Sequence, residues 1–306
     1  MGFLATHKIL SPGHVPDNQP FVSPLNPAGF FALESHTVLA LDGADAVAFA
    51  QAQFASDVVA LAPGHWHWSA WLTAKGRVIA VFALLRTGDT ALRLVLPDHD
   101  AAELGDALRR FVFRRKVTIS ARTDLRVSGM FAAPAQAHGP VLAGDEESGL
   151  ELDYGAPGLP RTLRLSPALL PDDPASVEAW NVADLRLGLP RLPPPQREQW
   201  TPQQLALDRL EAFSVKKGCY PGQEIVARTH FLGRAKRELL LLRVADKVDP
   251  GAQVTQSGTA IGSIVSAAGR SRRYALAVLP LEREPAPLLA DGSETVTEAF
   301  VEGFAR

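Results

Sequence analysis

Apolar and polar positions divide the chain into short elements of changing period. Thr37, Val38, Leu39 and Leu41 give residues 35–41 β character, and Asp42-Gly43 ends that strand. Val47, Ala50, Phe54, Val58 and Leu61 then recur at spacings of three and four, the buried stripe of a helix that Asp42 can cap. Residues 65–73 read as a strand, Gly76 as a turn, 78–85 as a strongly apolar strand and 91–96 as another. Asp98 or Asp100 can cap a helix running through Leu104, Leu108 and Phe111, and residues 116–120 return as a strand. Strand, helix, strands, helix, strand is close to a ferredoxin-like α+β unit. A doubly wound nucleotide-binding sheet needs a helix between every pair of strands and a Gly-rich first turn. The turn after Leu41 supplies one glycine, and no P-loop pattern occurs.

Further along, residues 125–165 hold strand-like pieces broken by Gly and Pro. Residues 173–187 read as a helix with Val177, Trp180 and Asp184-Leu185 at helical spacings. Pro190, Pro193, Pro194, Pro195 and Pro202 predict a stiff linker over 189–202. From Arg237 onward, residues 239–244, 261–266 and 274–279 are short strands, which predicts a small all-β module. At the other end, Pro12, Pro16, Pro20, Pro24 and Pro27 prevent regular structure, so residues 1–28 read as an extended arm. The expected domains are the arm, an α+β module over 29–121, a second over 122–236 and the β module over 237–306.

Composition narrows the function classes. With 46% apolar and 21% charged residues, the 306-residue chain has an ordinary globular make-up. No run approaches the ~18 apolar residues of a membrane span, and no apolar signal-like stretch opens the chain. The 31 basic and 33 acidic side chains leave a net charge of −2. That argues against a generally basic nucleic-acid binder while allowing a local basic patch. The single cysteine, Cys219, cannot form an internal disulfide or build a metal cage alone, and a reducing cytoplasm fits best.

The densest chemistry is Lys216-Lys217-Gly218-Cys219-Tyr220-Pro221-Gly222-Gln223-Glu224, followed by Val226-Ala227-Arg228. The cysteine stands between two glycines, which permit positive φ and close approach to the backbone. The two lysines add charge that favours a thiolate, and residues 223–228 can open a helix. The competing reading is a buried, inert cysteine in a tight turn.

That segment resembles the signature of the YgfZ-type folate-binding proteins, relatives of the aminomethyltransferase of the glycine cleavage system. Phe49-Ala50-Gln51-Ala52-Gln53 and Leu72-Thr73-Ala74-Lys75-Gly76-Arg77-Val78 are similar to the family's early Gln-rich segment and its Lys-Gly-Arg hairpin. Asp184-Leu185-Arg186-Leu187-Gly188 and residues 201–208 also fit, in the family's order. The resemblance implies an α+β fold of two ferredoxin-like modules and a C-terminal β-barrel, arranged as a ring around a central folate channel. It implies tetrahydrofolate as the cofactor and a role in assembly or repair of iron–sulfur enzymes, tRNA methylthiolation included. The implied partners are folate and iron–sulfur enzymes or assembly proteins; a monomeric chain without a membrane is expected, and direct nucleic-acid binding is disfavoured. Carried over residue by residue, the functional thiol is Cys219. The folate contacts are Lys217, Gly218, Tyr220, Gly222, Gln223, Glu224, Arg228, Arg77, Trp71, Asp184 and Arg186. No metal site is expected.

Two basic stretches suit a folate's carboxylate tail. Residues 214–237 carry six Lys/Arg against Glu224, a net +5, and residues 107–123 carry six with no acid, a net +6. A solvated basic face reads the second stretch equally well, and Arg114 and Arg115 equally suit acidic partners or tRNA phosphates. In His65-Trp66-His67-Trp68-Ser69-Ala70-Trp71 the two histidines share one face of a strand. A third metal ligand is missing nearby, and Trp68 or Trp71 can stack on a pterin. One departure bears on activity. Aminomethyltransferases carry acids shortly after the hairpin glycine, where this chain has Ile79-Ala80-Val81. Without a general acid/base there, the sequence points away from conventional turnover, the alternative being an aminomethyltransferase-like enzyme. A second departure, Asp184-x-Arg186 where relatives carry Arg-x-Glu, removes a carboxylate that would pair with the pterin edge.

Overall fold

The computed structural model describes residues 29–231, 233 and 236–306, so the expected arm over 1–28 lies outside the described residues. The first described elements are β1 (Phe31–Ala32), β2 (Thr37–Asp42), α1 (Ala46–Gln53), β3 (His65–Leu72), β4 (Val78–Gly88), β5 (Ala91–Leu96), α2 (Ala101–Arg109) and β6 (Thr118–Ala121). Strands β2 to β6 form an antiparallel sheet in the order β3-β4-β5-β2-β6. Apart from β3 on its edge, this is a ferredoxin-like arrangement. Leu39, Leu41, Phe82 and Leu94 face Phe49 of α1 and Leu104 and Leu108 of α2. Val38, Trp66, Trp68 and Val95 turn to the opposite core. With both faces buried, β4 needs no polar alternation, hence its unbroken apolar run.

Local details depart from the pattern in three places. Helix α1 ends at Gln53, and Phe54 leaves it to bridge Trp71 across to β3. Val58 and Leu61 therefore reach the same core from turns rather than from the helix. Asp42 does not cap that helix; it closes β2 and pairs with Arg93 at 2.7 Å. Of the two caps open to α2, Asp100 takes the position, accepting from the Glu103 amide at 2.8 Å. Asp98 is half-buried and accepts from the Leu192 amide at 2.5 Å. Burial raises its carboxyl pKa, and the Arg191 cation opposes that rise.

The second unit contains β7 (Arg126–Met130), β8 (Leu150–Asp153), β9 (Thr162–Ser166) and α3 (Pro174–Arg186). Its antiparallel sheet runs β1-β7-β9-β8, so β1 joins the second unit although it precedes the first. A two-residue strand has no period for a sequence to display. Gly129 makes room there for the Trp180 indole, whose ring a Cβ would meet at 2.7 Å. Asp173 caps α3 by accepting from the amides of Ala175 and Ser176. The expected linker over 189–202 is instead packed: Leu189 and Leu192 are buried, the Glu198 amide donates to the Val78 carbonyl, and the Val78 amide donates to the Trp200 carbonyl, both at 2.8 Å.

After α4 (Gln223–Phe231), the chain forms β10 (Arg237–Val244), β11 (Gln253–Gln256), β12 (Thr259–Ala268), β13 (Arg273–Pro280), β14 (Leu288–Ala290) and β15 (Ser293–Glu298). These close as a barrel in the order β10-β13-β12-β11-β14-β15, which leaves no free sheet edge. One apolar core continues from Trp68 of the first unit through Tyr154 and Trp180 of the second to Leu241 and Leu276 of the barrel. Among the described residues, no helix is long and apolar enough to cross a membrane.

Candidate functional site

Short-range chemistry folds the cysteine segment into a knot. The Ser214 hydroxyl accepts from the amides of Lys216 and Lys217, and the Tyr220 hydroxyl donates to the Ser214 carbonyl at 3.1 Å. Gln223, first residue of α4, donates from its side chain to the Lys217 carbonyl at 2.8 Å. Cys219 is exposed on this loop, just ahead of α4.

Lys217 ties the knot to the first unit. Its ammonium turns inward and donates to the carbonyls of Gln51 and Phe54, both at 2.6 Å, and of Ser56 at 2.9 Å. Three donors meet three acceptors, one at the end of α1 and two in the segment just after it. The Tyr220 ring lies under the same ammonium at 4.9 Å. Burial pulls the Lys217 pKa down to about 8, partly opposed by Asp57, and pushes the Tyr220 phenol up to about 12. The lysine expected to serve the thiol is thus spent on α1.

Two glycines join the hairpin to the knot. Gly76 (φ +67°) and Gly222 (φ +79°) lie back to back, and a Cβ on Gly222 would stand 2.6 Å from the Gly76 Cα. The hairpin and the cysteine segment, nearly 150 positions apart in sequence, therefore meet through backbone alone. Gly218 differs: its φ is not left-handed, and no heavy atom stands within 4 Å of where a Cβ would be. Arg77, next to Gly76, donates to the Gln199 carbonyl at 2.7 Å. Glu224 and Arg228 are exposed on α4.

Beside the knot a cleft of about 880 Å3 opens between the units. Ser56, Asp57 and His67 line it from the first unit, Gln203, Asp208, Glu211, Ser214 and Lys216 from the second, His230 from α4, Leu281 from the barrel and Arg306 from the chain end. Its volume lies in the range of small-molecule sites. His67 meets the Ser56 hydroxyl at 3.0 Å, and Ser56 donates onward to Ser69 at 2.7 Å. Burial, helped by Lys217, lowers the His67 pKa to about 4, so its ring is neutral at pH 7. Gln203 donates to the Val226 carbonyl at 2.9 Å, while its buried side-chain oxygen has no partner.

Other expected contacts lie away from this cleft. Trp68 is fully buried in an aromatic cluster with Trp66, Tyr154 and Phe304. Trp71 is buried against the exposed Phe111 on the helix side of the sheet. Neither lines the cleft, so the pterin-stacking platform expected of them is not offered. Asp184 is 0% exposed and sits between Arg161 at 2.8 Å and Arg191 at 2.9 Å. Arg186 ends α3, where its carbonyl accepts from the Val301 amide. Of the basic stretch over 107–123, Arg109 pairs with Asp106, and Arg122 with Asp124 and Glu146.

Ser56, Asp57, Glu211 and Arg306 come from three distant segments, form no local motif and did not stand out in the sequence. Of the lining residues, the patterns singled out His67, Lys216, the 201–208 segment that holds Gln203 and Asp208, and the basic segment that holds Ser214 and His230.

No family model matches the chain. An uncharacterized protein from Haemophilus influenzae is 31% identical over 217 residues, covering 70% of this chain and 73% of its own. The tRNA-modifying protein YgfZ of Cronobacter sakazakii is 29% identical over 265 residues, 79% of this chain and 78% of the relative. Its counterpart from Vibrio vulnificus is 28% identical over 282 residues, 83% and 84% respectively. Among solved structures, the aminomethyltransferase T of the Bartonella henselae glycine cleavage system superposes with a TM-score of 0.69 at 16% identity, over 88% of this chain and 84% of that one. That last likeness concerns the fold.

Proposed function

The chain belongs to the YgfZ family and has the aminomethyltransferase-like fold, and from that premise we propose that it binds a reduced folate in the interunit cleft. The proposed role is that of a cytoplasmic accessory factor in assembly or repair of iron–sulfur enzymes, including those that methylthiolate tRNA. The observation that carries the reading is the juxtaposition of the Lys217–Gln223 knot with a cleft large enough for a folate-sized molecule.

The cleft's side chains fit such a ligand. The unpartnered Gln203 oxygen accepts, as the N–H groups of a pterin require. Lys216 places a cation on the wall, as a glutamate tail requires, while the Arg306 guanidinium is held by the carbonyls of Asp153 and Gly155. Neutral His67 is free to exchange hydrogen bonds without a charge penalty. When bound, tetrahydrofolate supplies a carrier for one-carbon units. The protein's own groups bind and orient it, and Lys217 fixes the cysteine loop relative to the wall. Ala80 and Val81 are buried and apolar where aminomethyltransferases carry acids, which supports binding without conventional turnover.

A second reading, aminomethyl transfer, draws on Asp57, Asp208 and Glu211, carboxylates that do line the cleft. Calorimetric titration with tetrahydrofolate tests binding. Saturation below a few hundred micromolar is expected, and no saturable heat there, a ceiling of about −5 kcal/mol, overturns it. Turnover of an aminomethyl-lipoyl substrate to methylenetetrahydrofolate decides for the second reading. Complementation of a family-deficient bacterium by wild type and Cys219→Ala, scoring tRNA methylthiolation, tests the role.

A further inference from the structure

The segment after α2 is unlike the rest of the surface. Phe113 is 75% and Phe111 49% exposed, and Arg110, Arg114, Arg115 and Lys116 surround them. None of these four cations has a carboxylate partner among the described residues, whereas their neighbours Arg109 and Arg122 do. Asp45 meets this loop at the Lys116 backbone amide, from which its carboxylate accepts at 2.6 Å. Arg110 also suits the negative end of α2, but Arg114, Arg115 and Lys116 lie beyond that helix's last turn. The patch is ordered rather than loose. Phe111 rests edge-on against Trp71 at 6.1 Å, the Arg114 guanidinium lies 5.0 Å over the Phe113 ring, and Arg114 holds φ +54°.

We propose that this loop is a binding surface for single-stranded nucleic acid. Uncompensated guanidiniums match phosphates in fork geometry. Exposed rings held in place offer faces on which bases stack, and the pairing of the two is what sequence-tolerant single-strand binders use. An acidic protein segment satisfies the cations but leaves the aromatic faces without partners. A membrane surface calls for freely projecting wedges, and Phe111 is braced by Trp71. The chain's net charge of −2 makes the attraction local to this patch. The inference does not depend on the folate reading.

Fluorescence anisotropy with a labelled 12-nucleotide single-stranded RNA, and the same DNA sequence, tests it on the full chain. With four phosphates neutralised, log K falls with log salt at a slope of about −2.8, roughly 50-fold between 50 and 200 mM. Arg114→Ala/Arg115→Ala is expected to lower the slope magnitude by about 1.4. Phe113→Ala is expected to weaken binding by about 5- to 150-fold with the slope unchanged, and Phe113→Trp to restore it. Lys247→Ala, an exposed cation on the barrel, is the control and leaves binding intact. All these side chains are exposed, so melting temperatures serve as a folding check. RNA binding alone or with DNA both support the surface. Overturning results are no saturable anisotropy at 50 mM salt, binding indifferent to the loop variants, equal competition by polyglutamate, or loop-dependent binding to phosphatidylglycerol vesicles without oligonucleotide binding.

Discussion

Replacing Asp184 by Asn separates a structural carboxylate from a ligand contact. Asp184 is fully buried and holds two guanidiniums, Arg161 at 2.8 Å and Arg191 at 2.9 Å. Arg161 is itself 0% exposed, and Asp184 is its ion-pair partner. It lies 4.2 Å over the Trp180 ring, and its Nε and second terminal nitrogen have no partner. The amide keeps the shape and removes the charge, leaving Arg161 uncompensated in an aromatic box. Breaking a buried pair from one side costs about 3–5 kcal/mol. At about 2–4 °C per kcal/mol, the melting temperature should fall by roughly 6–20 °C. The double variant Asp184→Asn/Arg161→Met removes the stranded charge and should recover part of the loss, a coupling read by a double-mutant cycle. Thermal unfolding by circular dichroism, with folate titration of each variant, is the assay. A single variant that melts within about 2 °C of wild type yet loses reduced-folate affinity tenfold refutes this account and returns Asp184 to the ligand.

Three further outcomes follow from the same geometry. Gly222→Ala should lose about 2–5 kcal/mol in urea unfolding, because φ +79° and a 2.6 Å contact with Gly76 both penalise a Cβ, whereas Gly218→Ala should stay within about 0.5 kcal/mol. His67 refuses a proton down to about pH 4 while the unfolded chain takes one near 6.5, so stability should fall as pH drops between those values by at most about 3 kcal/mol. His67→Gln should flatten that slope, and unfolding midpoints at pH 5 and 7 that move identically in both proteins contradict the assignment. Native Cys219, being exposed, should be alkylated by iodoacetamide without denaturant; a thiol that reacts only after unfolding contradicts it.

Sequence legibility tracked the range of the interactions. Strands β3, β4, β5, β10, β12 and β13 carry enough apolar side chains to stand out, and α3 shows its helical spacing. Strands β14 and β15 are short or alternate weakly, with Glu294, Val296 and Thr297 exposed, and did not stand out. In α1 the apolar spacing ran on through Val58 and Leu61, but pairing of Phe54 with Trp71 ends the helix early. The cysteine knot was legible because its hydrogen bonds stay within ten residues. The reach of Lys217 to Gln51, Phe54 and Ser56 spans more than 160 positions, and no local pattern encodes it. The same holds for the cleft, whose wall is assembled from chain segments as distant as Ser56 and Arg306.

Hydrogen–deuterium exchange of the full chain, with and without saturating 5-formyltetrahydrofolate, tests the central claim most directly. The account predicts slowed exchange in the segments around Ser56–His67, Gln203–Lys216 and His230, which line the cleft, with the barrel strands β11 and β14 unchanged. Unaltered exchange everywhere, or protection confined to a different surface, contradicts a reduced folate in the interunit cleft.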